Sequence, residues 1–215
     1  MSRPIPNRDF ANARPDDLAL LARLLRHVGA FPDVRRIAAA LLNECQSLPA
    51  VLFADPERLA AIAGISDTVV SELALIRTLH EDLARARLRD RPLIGSWSEV
   101  VAYCRIMMGE ERFECFRVLF LDRKNHLIAD EELARGSVDH VAVYPRRVVG
   151  RALELDATAL LLVHNHPSGD TTPSPDDIAM TALIRDAAAL FGIALHDHLV
   201  ISACGETSLR SAGWV

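Results

Sequence analysis

The sequence predicts two domains, an all-α domain followed by an α/β domain, and two observations carry that prediction. From Asp16 to about residue 89 the apolar residues recur three and four apart, the spacing of one helix face. After Gly95 the texture changes to short β-rich runs that alternate with helical stretches. The length agrees, because 215 residues suit one or two domains and can bury a core without disulfide staples.

Taken in order, Asp16 to Val28 carries leucines at 18, 20, 21, 24 and 25, and Gly29 supplies a stop. Asp33 to Gln46 repeats the pattern with Val34, Ile37, Ala38, Leu41 and Leu42. Asp55 is placed to cap a short helix that opens on Pro56. Gly64-Ile65-Ser66-Asp67 then breaks the chain before a helix from Thr68 to about Arg89. Arg85, Arg87, Arg89 and Arg91, followed by Pro92, mark the linker. They read as a solvated helix end favoured by the helix dipole, with phosphate contact the competing reading.

In the second half, Ser98-Glu99 starts a helix through about Met108, with Trp97, Met107 and Met108 expected in the core. Cys115 to Leu121 reads as a strand, Asp122 to Asn125 as a tight turn, and Leu127 to Ala129 as the returning strand. Pro145 opens a helix to about Leu155, and the apolar run Ala157 to Val163 reads as a buried strand. A loop with Gly169, Pro173 and Pro175 leads into a helix that starts at Ser174-Pro175-Asp176-Asp177 and ends near Gly192. Ile193 to Ser202 forms the last expected strand.

Composition excludes several classes. Half of the residues are hydrophobic and a quarter are charged, the balance of a soluble globular protein. Charges interrupt every apolar run before the roughly 18 residues a membrane helix needs. The first residues hold no apolar h-region, so the expected address is the cytoplasm, with no membrane partner. Cys45, Cys104, Cys115 and Cys204 contain no C-x-x-C pair, which argues against a disulfide framework or thiolate zinc. The net charge of −5 argues against bulk attraction to nucleic acid. Residues 1–90 balance 12 Arg with 12 carboxylates, whereas residues 91–215 set 12 basic groups against 17 acidic ones.

The informative segment is LLVHNHPSGDTTPSPDD, residues 161–177. Taken singly, its parts are bland: a polar residue at a strand end, and a Ser174–Asp177 capping box by spacing. Taken together they converge. His164 and His166 sit two apart at the end of a strand and project to one side. The Pro-Gly loop returns the chain so that Asp177, on the first helical turn, reaches the same point. Two imidazoles and a carboxylate, with one place left for water, make an open catalytic zinc site. The site lies past the carboxyl end of a strand, where ligands of α/β sheets bind. His196 and His198 form a second H-x-H pair that could share one side of a strand. No placed carboxylate follows it and Asp197 points to the other face, so His198 reads as structural, or as orienting a ligand histidine, rather than as part of a second metal site. His27, His80, His126 and His140 are isolated.

The string H-x-H-P-S-G-D with P-S-x-x-D resembles the JAMM (MPN+) metallopeptidase motif. More closely, VLFLDRKNHLIADEEL, VYPRRVVGRALEL and HNHPSGD resemble the bacterial RadC family, over about residues 93–203. The resemblance implies a mixed-sheet JAMM/MPN-type, cytidine-deaminase-like α/β domain at 92–215. Before it, at 1–91, comes a small helical-hairpin domain in which Ser66 replaces a customary glycine. It implies one zinc per chain on His164, His166 and Asp177, with Ser174 stabilising the oxyanion. Glu114, immediately before CFRVLFLD, would act on the metal-activated water, with Glu110 and Glu111 the other candidates. The implied function is a zinc-dependent metallopeptidase or isopeptidase acting on a peptide or protein substrate. The rival reading is a DNA-repair-associated protein, making weak DNA contact through the helical domain and with little peptidase activity. Its hairpin and its single lysine, Lys124, speak against strong duplex binding. A scaffold without activity is a further reading, against which the intact ligand set stands. A zinc nucleobase deaminase is excluded, because H-x-E and P-C-x-x-C are both missing.

Overall fold

The computed structural model describes residues 15–29, 31, 33–88, 92–136 and 143–215. The leader before residue 15, the linker residues Arg89 and Arg91, and His140 lie outside the described residues. Two compact units divide at Leu79/His80.

The first unit is helical: α1 (Pro15–Val28), α2 (Val34–Cys45), α3 (Leu48–Leu52), α4 (Pro56–Ala60) and the first half of α5 (Asp67–Leu88). Local chemistry sets the boundaries. Asp33 accepts the Arg36 N–H at 3.1 Å, Ser47 accepts the Ala50 N–H at 3.1 Å, and Asp55 accepts the Glu57 N–H at 2.8 Å. Gly64 has φ +94°, a conformation that breaks the chain before α5. Ser66 then accepts the Val69 N–H at 3.4 Å, giving that serine a role as helix cap. Leu21, Leu25, Leu41, Leu42, Val51, Leu59 and Leu73 form the core of this unit. His27 is exposed on this unit, whereas exposed His80 and the Arg85–Asp82 pair, 3.1 Å apart, lie on the part of α5 that belongs to the second unit.

The second unit holds α6 (Trp97–Met108), α7 (Pro145–Glu154), α8 (Pro175–Ala189) and a five-stranded sheet in the order β2-β1-β3-β4-β5. The strands are β1 (Cys115–Leu121), β2 (Leu127–Arg135), β3 (Ala159–Asn165), β4 (Ala194–Ile201) and β5 (Glu206–Ser208). β3 and β4 run parallel, joined by the α8 crossover, and every other pair is antiparallel. The sheet is therefore mixed. β3 is buried along its whole length, as its unbroken apolar run demands, because helices cover both sides. Leu161 and Val163 face the α6 side, with Met107 and Met108. Leu160 and Leu162 face α7 and α8, with Val148 and Ile184.

Three expectations change. β2 continues to Arg135 rather than stopping at Ala129, because its acidic residues find partners. Asp130 receives both Nε and Nη2 of Arg117 at 3.0 Å, and Glu131 receives Arg151. Trp97 opens α6 at the surface, 40% exposed, so the buried face of that helix begins at Val100. The short β5 pairs with the end of β4, and its three residues are too few to leave a periodic signal.

Candidate metal centre

β3 delivers its last residues to the edge of the core. His164 is 1% exposed and pairs in register with Phe116 and Val200. Beyond the strand, the His166 N–H still bonds to the Ile201 carbonyl at 2.9 Å, so the alternation persists and both imidazoles reach one side. Their Nε2 atoms are 3.0 Å apart. His166 Nδ1 donates to the Asp170 carbonyl at 2.7 Å, which leaves its Nε2 as a bare lone pair in the neutral ring.

The loop back to α8 is shaped by Gly169 at φ +89° and by Asp170, whose carboxylate accepts the Thr172 N–H at 2.9 Å. Ser174 and Asp177 then form a capping box. The Ser174 hydroxyl accepts the Asp177 N–H at 3.1 Å, and the Ser174 N–H donates to Asp177 Oδ2 at 2.8 Å. The same hydroxyl donates to Oδ2 at 2.6 Å. Capping therefore does more than start the helix: it aims the carboxylate. Asp177 Oδ1 lies 3.5 Å from His164 Nε2, and Oδ2 lies 3.8 Å from His166 Nε2. Burial alone would raise the Asp177 carboxyl. The neighbouring His164 and the bonds from Ser174 outweigh it and hold the group well below the usual carboxylate range.

These three residues fit a metal ion. Ligand atoms from His164, His166 and Asp177 lie within 4.8 Å of one another. Metal–ligand lengths of about 2.0–2.1 Å at a tetrahedral angle put neighbouring ligand atoms about 3.3 Å apart, close to the separations seen. Two nitrogens and one carboxylate leave an open fourth position, the donor set of a catalytic zinc.

Glu114 stands before β1 with its carboxylate 3.9 Å from His166 Nε2, so the structure brings it to the same centre. Glu111 is instead turned to Arg135 at 2.9 Å. Glu110 is half-buried, and burial raises its carboxyl. The reason Glu114 is fixed there is a residue the sequence did not flag. Asn165, between the two histidines, points to the other face. Its Oδ1 accepts the Cys115 N–H at 2.8 Å, and its Nδ2 donates to the Phe113 carbonyl at 3.1 Å. One buried amide thus clamps the segment that carries Glu114.

The second H-x-H pair does not share a side. The β3–β4 register shifts between Leu160 and Leu161, so that Leu160 pairs with Leu195 and Leu161 with Asp197. His196 is the extra residue, and the bulge reverses the alternation. His196 bonds Asn125 at 2.6 Å and lines a cavity with Trp97, Asp197, Arg210 and Ser211. His198 is buried against His164, its Nε2 2.7 Å from His164 Nδ1, and burial together with His164 holds its pKa well below the ordinary value. His126 meets Asp122 at 3.3 Å in the β1–β2 turn.

Fold and site together define a mixed α/β domain with a His-x-His and Asp centre suited to one metal ion. Comparison with known proteins names the family. The RadC-like JAB domain matches residues 94–214, and the chain belongs to that family. It is 53% identical over 203 residues to a UPF0758 protein of Rhodobacter capsulatus, covering 94% of each chain. It is 48% identical over 205 residues to UPF0758 protein SPO0054 of Ruegeria pomeroyi (strain ATCC 700808 / DSM 15171 / DSS-3), covering 95% of this chain and 91% of that one. JAB/MPN relatives are often metallohydrolases. Among the described residues, no helix is long and apolar enough to cross a membrane.

Proposed function

We propose that this chain is a zinc-dependent metallopeptidase or isopeptidase that hydrolyses an amide bond in a peptide or protein substrate. The observation that carries the reading is the convergence of His164 Nε2, His166 Nε2 and the Asp177 carboxylate on one point, with Glu114 beside it. Bound by these three residues, zinc would polarise the amide carbonyl and lower the pKa of water towards about 7.

The chain's own groups account for the remaining steps. Glu114 takes a proton from the attacking water as the new C–O bond forms, and returns it to the amide nitrogen as the C–N bond breaks. Its place near His166 is fixed through the Asn165 clamp on the backbone to either side of it. The Ser174 hydroxyl, which donates to Asp177 Oδ2 at 2.6 Å, turns that proton to the developing oxyanion. The Ser174 backbone N–H remains on the carboxylate at 2.8 Å, so the aim of Asp177 survives the switch.

The test is elemental analysis of protein purified without added metal, beside His164→Ala and Asp177→Ala. About one zinc per chain is expected in the parent, consistent with a single three-ligand centre. Both variants are expected to lose it while remaining folded. Peptide and isopeptide substrates follow, with Glu114→Gln as the inactive, zinc-retaining control. A parent that is metal-free and cannot be loaded sinks the reading.

A further inference from the structure

Behind His164 lies a line of buried polar groups that metal binding does not use directly. His198 on β4 and Thr181 on α8 are 2% and 0% exposed. His164 Nδ1 is 2.7 Å from His198 Nε2, His198 Nδ1 is 2.6 Å from Thr181 Oγ1, and Thr181 Oγ1 is 2.5 Å from the Asp177 carbonyl oxygen. The line therefore begins on one proposed ligand and ends on the backbone of another. We propose that Thr181 and His198 are positioning residues that hold His164 protonated at Nδ1 and bare at Nε2. The inference rests on the metal centre proposed above, and it concerns which nitrogen of His164 is offered to that centre.

The direction follows from counting protons. A carbonyl oxygen only accepts, and a threonine hydroxyl has one hydrogen. At 2.5 Å from the Asp177 carbonyl, Thr181 donates there, so its oxygen accepts from His198 Nδ1–H. A neutral imidazole carries one N–H, so His198 Nε2 is bare and accepts from His164 Nδ1–H. His164 Nε2 is then a lone pair. The opposite direction would send the Thr181 proton to His198 and put an N–H on His164 Nε2. It would also press two oxygen acceptors together at 2.5 Å with no proton between them. The Phe116 ring meets His198 edge-on at 5.7 Å and holds the imidazole in this line.

The consequence falls on the centre. His166 Nε2 is bare because its Nδ1 serves the Asp170 carbonyl. His164 Nε2 is bare because of Thr181. Two lone pairs thus face each other at 3.0 Å, an arrangement that a cation between them relieves. Without the Thr181 acceptor, His198 Nδ1–H would be buried and unsatisfied, and the reversed direction, which blocks His164 as a ligand, would be favoured. The group that accepts the other ring N–H of a metal-bound histidine fixes its tautomer and orientation in this way.

The experiment compares the parent with Thr181→Val, Thr181→Ser and His198→Phe by two readouts. The first is the 15N–1H correlation spectrum of the histidine side chains in metal-free protein at mildly alkaline pH, which reports the protonated nitrogen of each ring. The second is zinc affinity by competition with a chromogenic chelator. In the parent, Nδ1–H is expected on both His164 and His198. Thr181→Val is expected to shift His164 towards Nε2–H and to weaken zinc about 10- to 100-fold, while Thr181→Ser restores both. His198→Phe is expected to weaken zinc likewise. Should that variant fail to fold, the near-isosteric threonine pair still decides. A parent with Nε2–H on His164, or Thr181→Val with parental tautomer and zinc affinity, overturns the inference. A parent that takes up no zinc yet carries Nδ1–H on His164 overturns the metal reading and leaves this one standing.

Discussion

Replacing Ser174 separates its two jobs, because alanine and glycine differ at a helix cap but are alike in lacking a hydroxyl. Ser174→Ala removes the acceptor of the Asp177 N–H at 3.1 Å and the hydroxyl donor to Asp177 Oδ2 at 2.6 Å. Loss of a serine N-cap to alanine costs about 1 kcal/mol, whereas loss to glycine costs only a few tenths. The second bond adds little, since the site is exposed and the carboxylate keeps the Ser174 N–H at 2.8 Å. For a domain of this size, 1 kcal/mol lowers Tm by about 4 °C. The assay is thermal or urea unfolding of metal-free protein followed by tryptophan fluorescence. Both tryptophans, Trp97 and Trp214, belong to the second unit, so the signal comes from the domain that holds the cap. Ser174→Ala should fall by about 1 kcal/mol and Ser174→Gly by a few tenths. On a hydrolysable substrate both should lose kcat to a similar degree, about 100- to 1000-fold if the hydroxyl meets the oxyanion. Equal stability losses in the two variants would refute the capping argument. Parental turnover in both would refute the oxyanion role.

Three further outcomes follow from the same geometry. Asn165→Ala leaves the buried Cys115 N–H without its acceptor and should cost about 1–3 kcal/mol; elemental analysis should find zinc retained while turnover falls, because Glu114 loses its anchor. His196→Ala should leave zinc content at the parental level, since the bulge turns that ring to Asn125; a variant that loses zinc would contradict the register assigned to β4. The Glu131 carboxyl is lowered chiefly by its bonds from Arg151, against a smaller opposing effect of burial. Its folded value lies below the unfolded one, so its contribution is present above the unfolded pKa of about 4.3 and lost as pH falls through the folded value. Glu131→Gln should therefore destabilise at neutral pH and converge with the parent on acidification; a constant gap down to strongly acid pH would contradict the linkage.

The parts of the site legible in the sequence are those set by local chain geometry. Alternation along β3 puts His164 and His166 on one side, and the capping spacing puts Asp177 on the first turn of α8. Neither needs knowledge of a distant segment. What the sequence hides depends on register. Strict alternation pairs His196 with His198, and only the shift opposite Leu160 and Leu161 shows that one ring turns away while the other meets His164. Thr181 is hidden for a different reason. A threonine four residues after Asp177 is an ordinary helical residue, one that often bonds back to the carbonyl a turn earlier. It acquires consequence only because β4, parallel to β3, brings His198 against it at 2.6 Å. Asn165 likewise gains its role from the antiparallel pairing of β1 with β3, which sets the Cys115 N–H within reach. The residues that would hold the ion are thus local in sequence, whereas those that would aim them are assembled by strand pairing. Substitutions of the second kind test the fold and the chemistry together, and a conservative pair such as Val and Ser at position 181 is what separates the two.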